Sequence, residues 1–275
     1  MTLGGYVVVR NGDSLDYSWR EAVASLIPVC EEVVIADSDS TDGTKEAIEL
    51  WMERESKIRY ANFPWKNEKG VSHRGFVEWL NFAREQLSTD MQITLDADEV
   101  LSDSPECHAA VREAASKGEC RFFHRLNFWR DPRSIIPDGH CCARRVARMG
   151  PANYVMCSDE PHHPGEVPLL DEGTYDDRLK IFHLGFLRKT DAFYRKANVV
   201  LHWWFGRGDP RLSAGEETGK KLHETECEFT HLLEPYYGYM PDSVQRWLSA
   251  RGHATPSYIA RLLTAPDPVI EIEPW

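Results

Sequence analysis

The stretch Val33-Val34-Ile35-Ala36-Asp37-Ser38-Asp39-Ser40-Thr41-Asp42-Gly43-Thr44 sets the reading of the whole chain. Four apolar, mostly β-branched residues run straight into eight small or polar ones. A run of this kind suits a strand buried on both faces. Ser40-Thr41-Asp42 can then cap a helix, and Ala47, Leu50 and Trp51 mark its apolar stripe. Three other runs resemble the first: Tyr6-Val7-Val8-Val9, Ile58 to Ala61 and Gln92-Ile93-Thr94-Leu95. Between them lie two more stripes at helical spacing, Trp19, Val23, Leu26 and Phe76, Trp79, Leu80, Ala83, Leu87. The order β-α-β-α-β-α-β predicts an α/β fold with a mostly parallel central sheet flanked by helices.

Beyond Leu101 the rhythm changes. Ser104 to Lys117 reads as a helix and Arg121 to Trp129 as a strand, and Gly and Pro become frequent from Pro132 to Pro168. Lys189 to Phe205 and Leu222 to Leu233 look helical, and Pro266 to Trp275 looks like an extended tail. The expected organisation is one domain: residues 1–101 as one half, 102–265 as a less regular second half, and 266–275 as the tail.

Composition narrows the function classes. The chain has 275 residues and a formal net charge of −12. So acidic a chain is not a general binder of nucleic acid or anionic membrane. Seven Cys without framework spacing suggest reduced thiols and a cytoplasmic protein. Met1 to Val9 lacks the pattern of a signal peptide, and no apolar run reaches the ~20 residues that span a bilayer.

In open parallel sheets, ligands bind at the carboxyl ends of the strands. Here those ends carry Arg10-Asn11, the acid-rich Asp37 to Thr44 loop, and Asp96-Ala97-Asp98-Glu99. Clustered carboxylates repel unless a cation or hydrogen-bond donors compensate them. A divalent metal is the simplest compensator. Leaving a strand, Asp96 and Asp98 point to one side and offer hard oxygen ligands for Mg²⁺ or Mn²⁺. A solvated acidic turn is the alternative for so short a pattern.

The Val33 to Thr44 segment resembles the donor-binding segment of family-2-type glycosyltransferases with the GT-A fold, whose usual form is V-V-D-x-G-S-T-D-G-T. Asp39 stands where that form has a glycine. Leu95-Asp96-Ala97-Asp98-Glu99 resembles the family's D-x-D motif, about sixty residues further on. The resemblance implies a nucleotide-sugar donor, most often a uridine diphosphate sugar. Asp37 would bind the base, with Arg10, Asn11 and Asp39 in the same pocket. Asp96 would contact the ribose, or the metal through water, and Asp98 would bind the metal, Mn²⁺ or Mg²⁺.

Ile181-Phe182-His183-Leu184-Gly185-Phe186 is similar to a segment of bacterial sugar transferases in which a His often completes the metal site. A partly buried structural His is the other reading of His183. An inverting transferase also needs a general base at the acceptor hydroxyl. Glu160 and Asp159 are the candidates, with Asp176 and Asp177 as rivals. His162 and His163 lack the spacing of a structural zinc site.

Arg121, Arg125, Arg130, Arg133, Arg144, Arg145 and Arg148 form an interval without Lys. Arg144 or Arg145 can reach the donor diphosphate or an anionic acceptor, or these are outward residues of a strand. His202-Trp203-Trp204-Phe205 and Tyr236, Tyr237 and Tyr239 read first as core and second as sugar-stacking platforms.

Inverting sugar transfer is the leading expectation. A glycan, a lipid-linked molecule or another hydroxyl compound would accept the sugar, and nucleic acid is disfavoured by charge. One rival is a nucleotidyltransferase making sugar nucleotides, but Val9-Arg10-Asn11-Gly12-Asp13-Ser14 has a single Gly where that class is Gly-rich. The other is a non-catalytic binder of nucleoside diphosphates.

Overall fold

The computed structural model describes residues 1–64, 73–137, 145–157, 160–163, 167–168, 175–189, 191–193, 195–196 and 233–253. The α/β expectation holds. Strands β1 (Leu3–Val9), β2 (Glu32–Asp37), β3 (Ile58–Asn62) and β4 (Met91–Leu95) alternate with helices α1 (Trp19–Leu26), α2 (Thr44–Met52) and α3 (His73–Glu85). Short β5 (Glu99–Leu101) and helix α4 (Pro105–Lys117) follow.

The first sheet has the order β3-β2-β1-β4-β9, where β9 is Met149–Pro151. Its first four strands are parallel and β9 is antiparallel to β4. Residues along each strand alternate between faces. Val7, Val9, Val33, Ile35, Ile93 and Leu95 meet Trp19, Val23 and Leu26 of α1 and Val111 of α4. Tyr6, Val8, Val34 and Ala36 pack with Trp79, Leu80 and Ala83 of α3.

Helix boundaries follow local chemistry. The Ser104 hydroxyl accepts from Cys107 N–H at 3.2 Å, Pro105 opens α4, and Gly118 ends it at φ +68°. Helix α2 departs from expectation in two ways. Its N-cap is Gly43 at φ +89°, while the Asp42 carboxylate accepts from Thr44 N–H at 3.2 Å and from the Thr44 hydroxyl at 2.6 Å. Its buried anchor is Ile48, and Leu50 is 54% exposed.

The Pro- and Gly-rich interval is more regular than its composition suggests. It contributes β7 (Asp131–Ile135), β8 (Arg145–Ala147), β9, β10 (Val155–Cys157), β11 (Glu160–His163) and β12 (Val167–Pro168). A second sheet has the order β14-β7-β6-β13-β5, with β6 at Phe122–Trp129, β13 at Tyr175–Phe186 and β14 at Glu234–Pro235. Helix α5 (Asp242–Ser249) covers it, burying Val244, Trp247 and Leu248 against Leu126, Phe128, Phe182 and Leu184. Residues 191–193 and 195–196 are helical, in line with the expected helix after Lys189. The rest of that helix, the expected helix to Leu233 up to residue 232, and the tail lie outside the described residues. Among the described residues no helix is long and apolar enough to cross a membrane.

Candidate functional site

Parallel pairing brings the ends of β1, β2 and β4 to one edge, as the sequence predicts. The first two exits are tied together. Asn11 N–H donates to the Ser40 hydroxyl at 2.7 Å, and the Asn11 side-chain carbonyl accepts from Thr41 N–H at 2.8 Å. Arg10 Nε donates to the Ser38 carbonyl at 3.0 Å.

Asp37, fully buried at the end of β2, accepts from the Ser40 hydroxyl, from Ser40 N–H at 3.2 Å and from the Tyr60 hydroxyl at 3.5 Å. Burial and the Asp37 charge push the Tyr60 phenol up to about 12, so it stays a neutral donor. Asp39 is exposed and sits at φ +51°. That left-handed conformation is one glycine takes freely and Asp tolerates, which accounts for the glycine at this place in the resembled motif.

The Asp96 to Glu99 segment turns instead of continuing the strand. Glu99 N–H donates to the Asp96 carbonyl at 2.9 Å. The carboxylates of Asp96 and Asp98 consequently go to different partners, contrary to the expectation that they share one side. Asp96 accepts from Arg148 Nη2 at 3.0 Å. The same guanidinium grips buried Glu99, Nε at 2.9 Å and Nη2 at 2.8 Å, and Arg125 reaches Glu99 at 3.2 Å. Burial would raise the Glu99 carboxyl, but Arg148 and Arg125 hold it well below the carboxylate range.

Asp98 Oδ2 accepts from Arg188 Nη2 and from Lys196 Nζ, both at 2.5 Å. Arg188 also donates to the Gly185 carbonyl at 2.7 Å and the Leu15 carbonyl at 3.0 Å, and lies 4.3 Å over the Tyr17 ring. Burial opposes ionisation of Asp98, and Lys196 and Arg188 outweigh it. Arg and Lys side chains therefore compensate the acid cluster, the role that the sequence assigns to a metal. Among the described residues no three His, Cys, Asp or Glu gather as a metal cluster.

The other oxygen of Asp98 looks elsewhere. Its Oδ1 faces His183 Nε2 at 3.7 Å. His183 sits on β13 between Asn127 of β6 and Glu99 of β5 in register, and its Nδ1 lies 3.0 Å from the Asn127 carbonyl oxygen. That contact puts the ring proton on Nδ1, as assigned from the hydrogen bond. Burial pushes His183 down to about 4, so the ring is neutral near pH 7. The Nε2 lone pair then points at a carboxylate oxygen with no proton between them. A Cβ on Gly185 would sit 2.7 Å from His183 Nε2 and 2.8 Å from Asp98 Oδ2, so the glycine keeps that space open. One carboxylate oxygen, one imidazole nitrogen and an open cradle fit a divalent cation that takes its remaining ligands from water and phosphate.

Other candidates fall elsewhere. Arg145 is exposed on β8. Arg144 and Asp159 lie outside the described residues, and the backbone of Glu160 pairs with Cys157 in the small sheet β10-β11-β12. Tyr236 packs edge-on to Phe128 at 5.1 Å as core, whereas Tyr237 and Tyr239 are exposed; residues 202–205 lie outside the described residues. Sequence reasoning missed Arg148, Arg188 and Lys196 as partners of the acids. Arg148 lies between β8 and β9 and is buried; nothing local marks Arg188 or Lys196.

Parts of the chain are similar to known proteins. Residues 19–120 match the model of glycosyl transferase family 2. A lipopolysaccharide core biosynthesis glycosyltransferase, LpsC of Rhizobium meliloti (strain 1021), is 29% identical over 144 residues. That match covers 50% of this chain and 48% of the relative, so the chain spans about half the length of that relative. The structure of S. aureus TarS 1–349 in complex with UDP-GlcNAc has a TM-score of 0.43 at 12% identity, covering 83% of this chain and 73% of that one. The structure of GalNAc-T7 with UDP, GalNAc and Mn²⁺ has a TM-score of 0.42 at 11% identity, covering 95% of this chain and 56% of that one. Residues 19–120, which carry most of the parallel βα half and the acid-bearing ends of β2 and β4, are thus similar to glycosyl transferase family 2.

Proposed function

We propose that the chain is an inverting glycosyltransferase that moves a sugar from a nucleotide sugar, most often a uridine diphosphate sugar in this family, to an acceptor hydroxyl with the help of a divalent cation. The observation that carries this reading is the pairing of Asp98 Oδ1 with the unprotonated face of His183 at the exit of β4.

In this reading residues 1–101 form the donor half and 102–265 the acceptor half. Asp37 accepts a hydrogen bond from the base, Arg10, Asn11 and Asp39 border it, and Asp96 takes the ribose. Asp98 and His183 hold Mn²⁺ or Mg²⁺, an imidazole favouring Mn²⁺. A cation held there would neutralise charge on the departing nucleoside diphosphate. Arg188 and Lys196 stand beside it as further positive charge, and Arg144 or Arg145 reaches the diphosphate or an anionic acceptor. Glu160 or Asp159 takes the proton of the acceptor hydroxyl as its oxygen attacks the anomeric carbon. The acceptor is a glycan or a lipid-linked sugar reached from the cytoplasmic face. A glycan fits the name of the relative in lipopolysaccharide core biosynthesis.

A thermal-shift panel of UDP, GDP, CDP, dTDP and their sugars, with and without Mn²⁺, tests the reading. A ligand at a hundred times its Kd adds about 2.7 kcal/mol, a shift of several degrees at this size. One base should shift the transition only with Mn²⁺, and Asp98→Ala should abolish the shift. No response to any nucleotide would overturn the proposal. Pyrophosphate release from a nucleoside triphosphate would replace it with nucleotidyl transfer.

A further inference from the structure

A pocket of about 220 Å³ opens where β13 ends, lined by Arg130, Phe186, Leu187, Arg188, Lys189, Phe193, Arg251 and His253. Its polar lining is basic, and none of the described lining residues is acidic. In a chain of net charge −12 this is a marked local reversal of sign. Acids that interact with the lining residues are already matched. Asp131, which faces His253, takes Arg133. Asp98 takes Arg188 and Lys196, while Asp16 takes Arg251 and the backbone N–H of Lys189 at 2.9 Å. The Lys189 ammonium has no hydrogen bond or ion pair among the described residues.

The backbone is shaped around this pocket. Arg130 adopts φ +58°, a strained conformation for Arg, and its N–H donates to the Phe186 carbonyl at 3.3 Å. The pocket also adjoins the donor site. Arg188 lines it and holds Asp98, and Phe186 lines it and meets the His183 ring edge-on at 5.4 Å. No lining residue comes from β1, β2 or their exit loops, where the nucleotide is placed.

We infer that this pocket receives an anionic group of the acceptor, a phosphate ester or a carboxylate carried on a sugar. Arg and Lys hold the oxyanion, and Phe186 and Phe193 offer apolar faces to the ring that bears it. The volume suits one sugar-sized group better than an extended ligand. The inference rests on the glycosyl-transfer reading and adds the charge of the acceptor to it.

Isothermal titration of the full chain tests this with glucose 6-phosphate, galacturonate and neutral glucose. Both anionic sugars should bind and glucose should not. Lys189→Glu should weaken the anionic sugars at least tenfold while the nucleotide found in the panel binds unchanged. Asp37→Asn should do the reverse. The inference is overturned if neither anionic sugar binds, if glucose binds equally, or if Lys189→Glu leaves the anionic sugars unaffected. It is overturned too if nucleotide displaces them and Lys189→Glu weakens both, which would make the pocket part of the diphosphate site. Loss of the glycosyl-transfer reading shows separately, as anionic-sugar binding in a chain that binds no nucleotide.

Discussion

Arg148 grips Glu99 through two nitrogens, Nε at 2.9 Å and Nη2 at 2.8 Å, and both side chains are almost wholly buried. The same Nη2 holds Asp96 at 3.0 Å, so one guanidinium fixes a structural acid and a candidate donor-site acid together. Breaking a buried pair from one side strands a charge, typically at about 3–5 kcal/mol. Arg148→Met should destabilise the fold by roughly that amount, softened because Arg125 still reaches Glu99. Arg148→Met with Glu99→Leu should recover part of the loss. Urea unfolding of the two single variants and the double variant measures the coupling, and strict additivity would refute it.

Gly185 should tolerate no side chain without cost to the proposed cation cradle. A Cβ there would lie 2.7 Å from His183 Nε2 and 2.8 Å from Asp98 Oδ2. Gly185→Ala should weaken Mn²⁺-dependent nucleotide binding more than tenfold, roughly 1.4 kcal/mol or more. Titration with nucleotide in the presence and absence of Mn²⁺ distinguishes this from a general loss of affinity.

Asp42 anchors the start of α2 through Thr44 and also accepts from Ser14 N–H at 2.6 Å. Asp42→Ala should cost about 0.5–2 kcal/mol, the usual penalty for a lost cap. Burial would raise the Asp42 carboxyl, but the hydrogen bonds from Thr44 and Ser14 outweigh it and hold it below the ordinary range. A depressed folded-state pKa stabilises the fold above the unfolded value, about 3.9 for Asp, and that stabilisation disappears as pH falls through the lower folded value. The gap between wild type and Asp42→Ala should therefore be full at pH 7 and shrink below about pH 4. Denaturant midpoints across that range check the sign.

Asp39 pays for its left-handed backbone at φ +51°. Asp39→Gly relieves that strain but frees the unfolded chain, and the two effects nearly cancel. It should stay within about 0.5 kcal/mol of wild type, whereas β-branched Asp39→Val should lose about 1–2 kcal/mol. Parallel thermal melts decide between them, and equal behaviour of the two variants would contradict the assignment.

How far the sequence carried depended on how local each determinant is. Strands β1 to β4 and their exits were legible because a run of Val and Ile followed by Asp, Ser and Gly is written in neighbouring residues. Asp37 was singled out as a candidate that way, and His183 by the resemblance of its segment to one in bacterial sugar transferases. The partners of Asp98 were not legible, since Arg188 and Lys196 lie 90 and 98 positions away and reach it only through the path of β13. Among the clustered Arg residues the sequence favoured Arg144 and Arg145, whereas the buried ones that meet Glu99 are Arg125 and Arg148. Arg145 is exposed at the start of β8, followed by buried Val146 and Ala147, and only the packed sheet shows which guanidinium groups meet Glu99. The turn after Asp96, which separates the two acids of the motif, was hidden because a strand end and a turn share the same residues.

The position of β13 bears on how the molecule assembles. It lies between β6 and β5 in the second sheet, parallel to the first and antiparallel to the second. A strand from residues 175–186 must therefore wedge between two that leave the ribosome well before it. Until it does, Asp96, Asp98 and Glu99 sit on a nascent half whose balancing guanidinium and ammonium groups are largely unmade or unplaced. Closure waits on pairings of high sequence separation, which are slow to form and leave strand edges open meanwhile. The acid cluster thus becomes electrically complete only near the end of folding, and a chain halted before residue 196 presents carboxylates with Lys196 still missing.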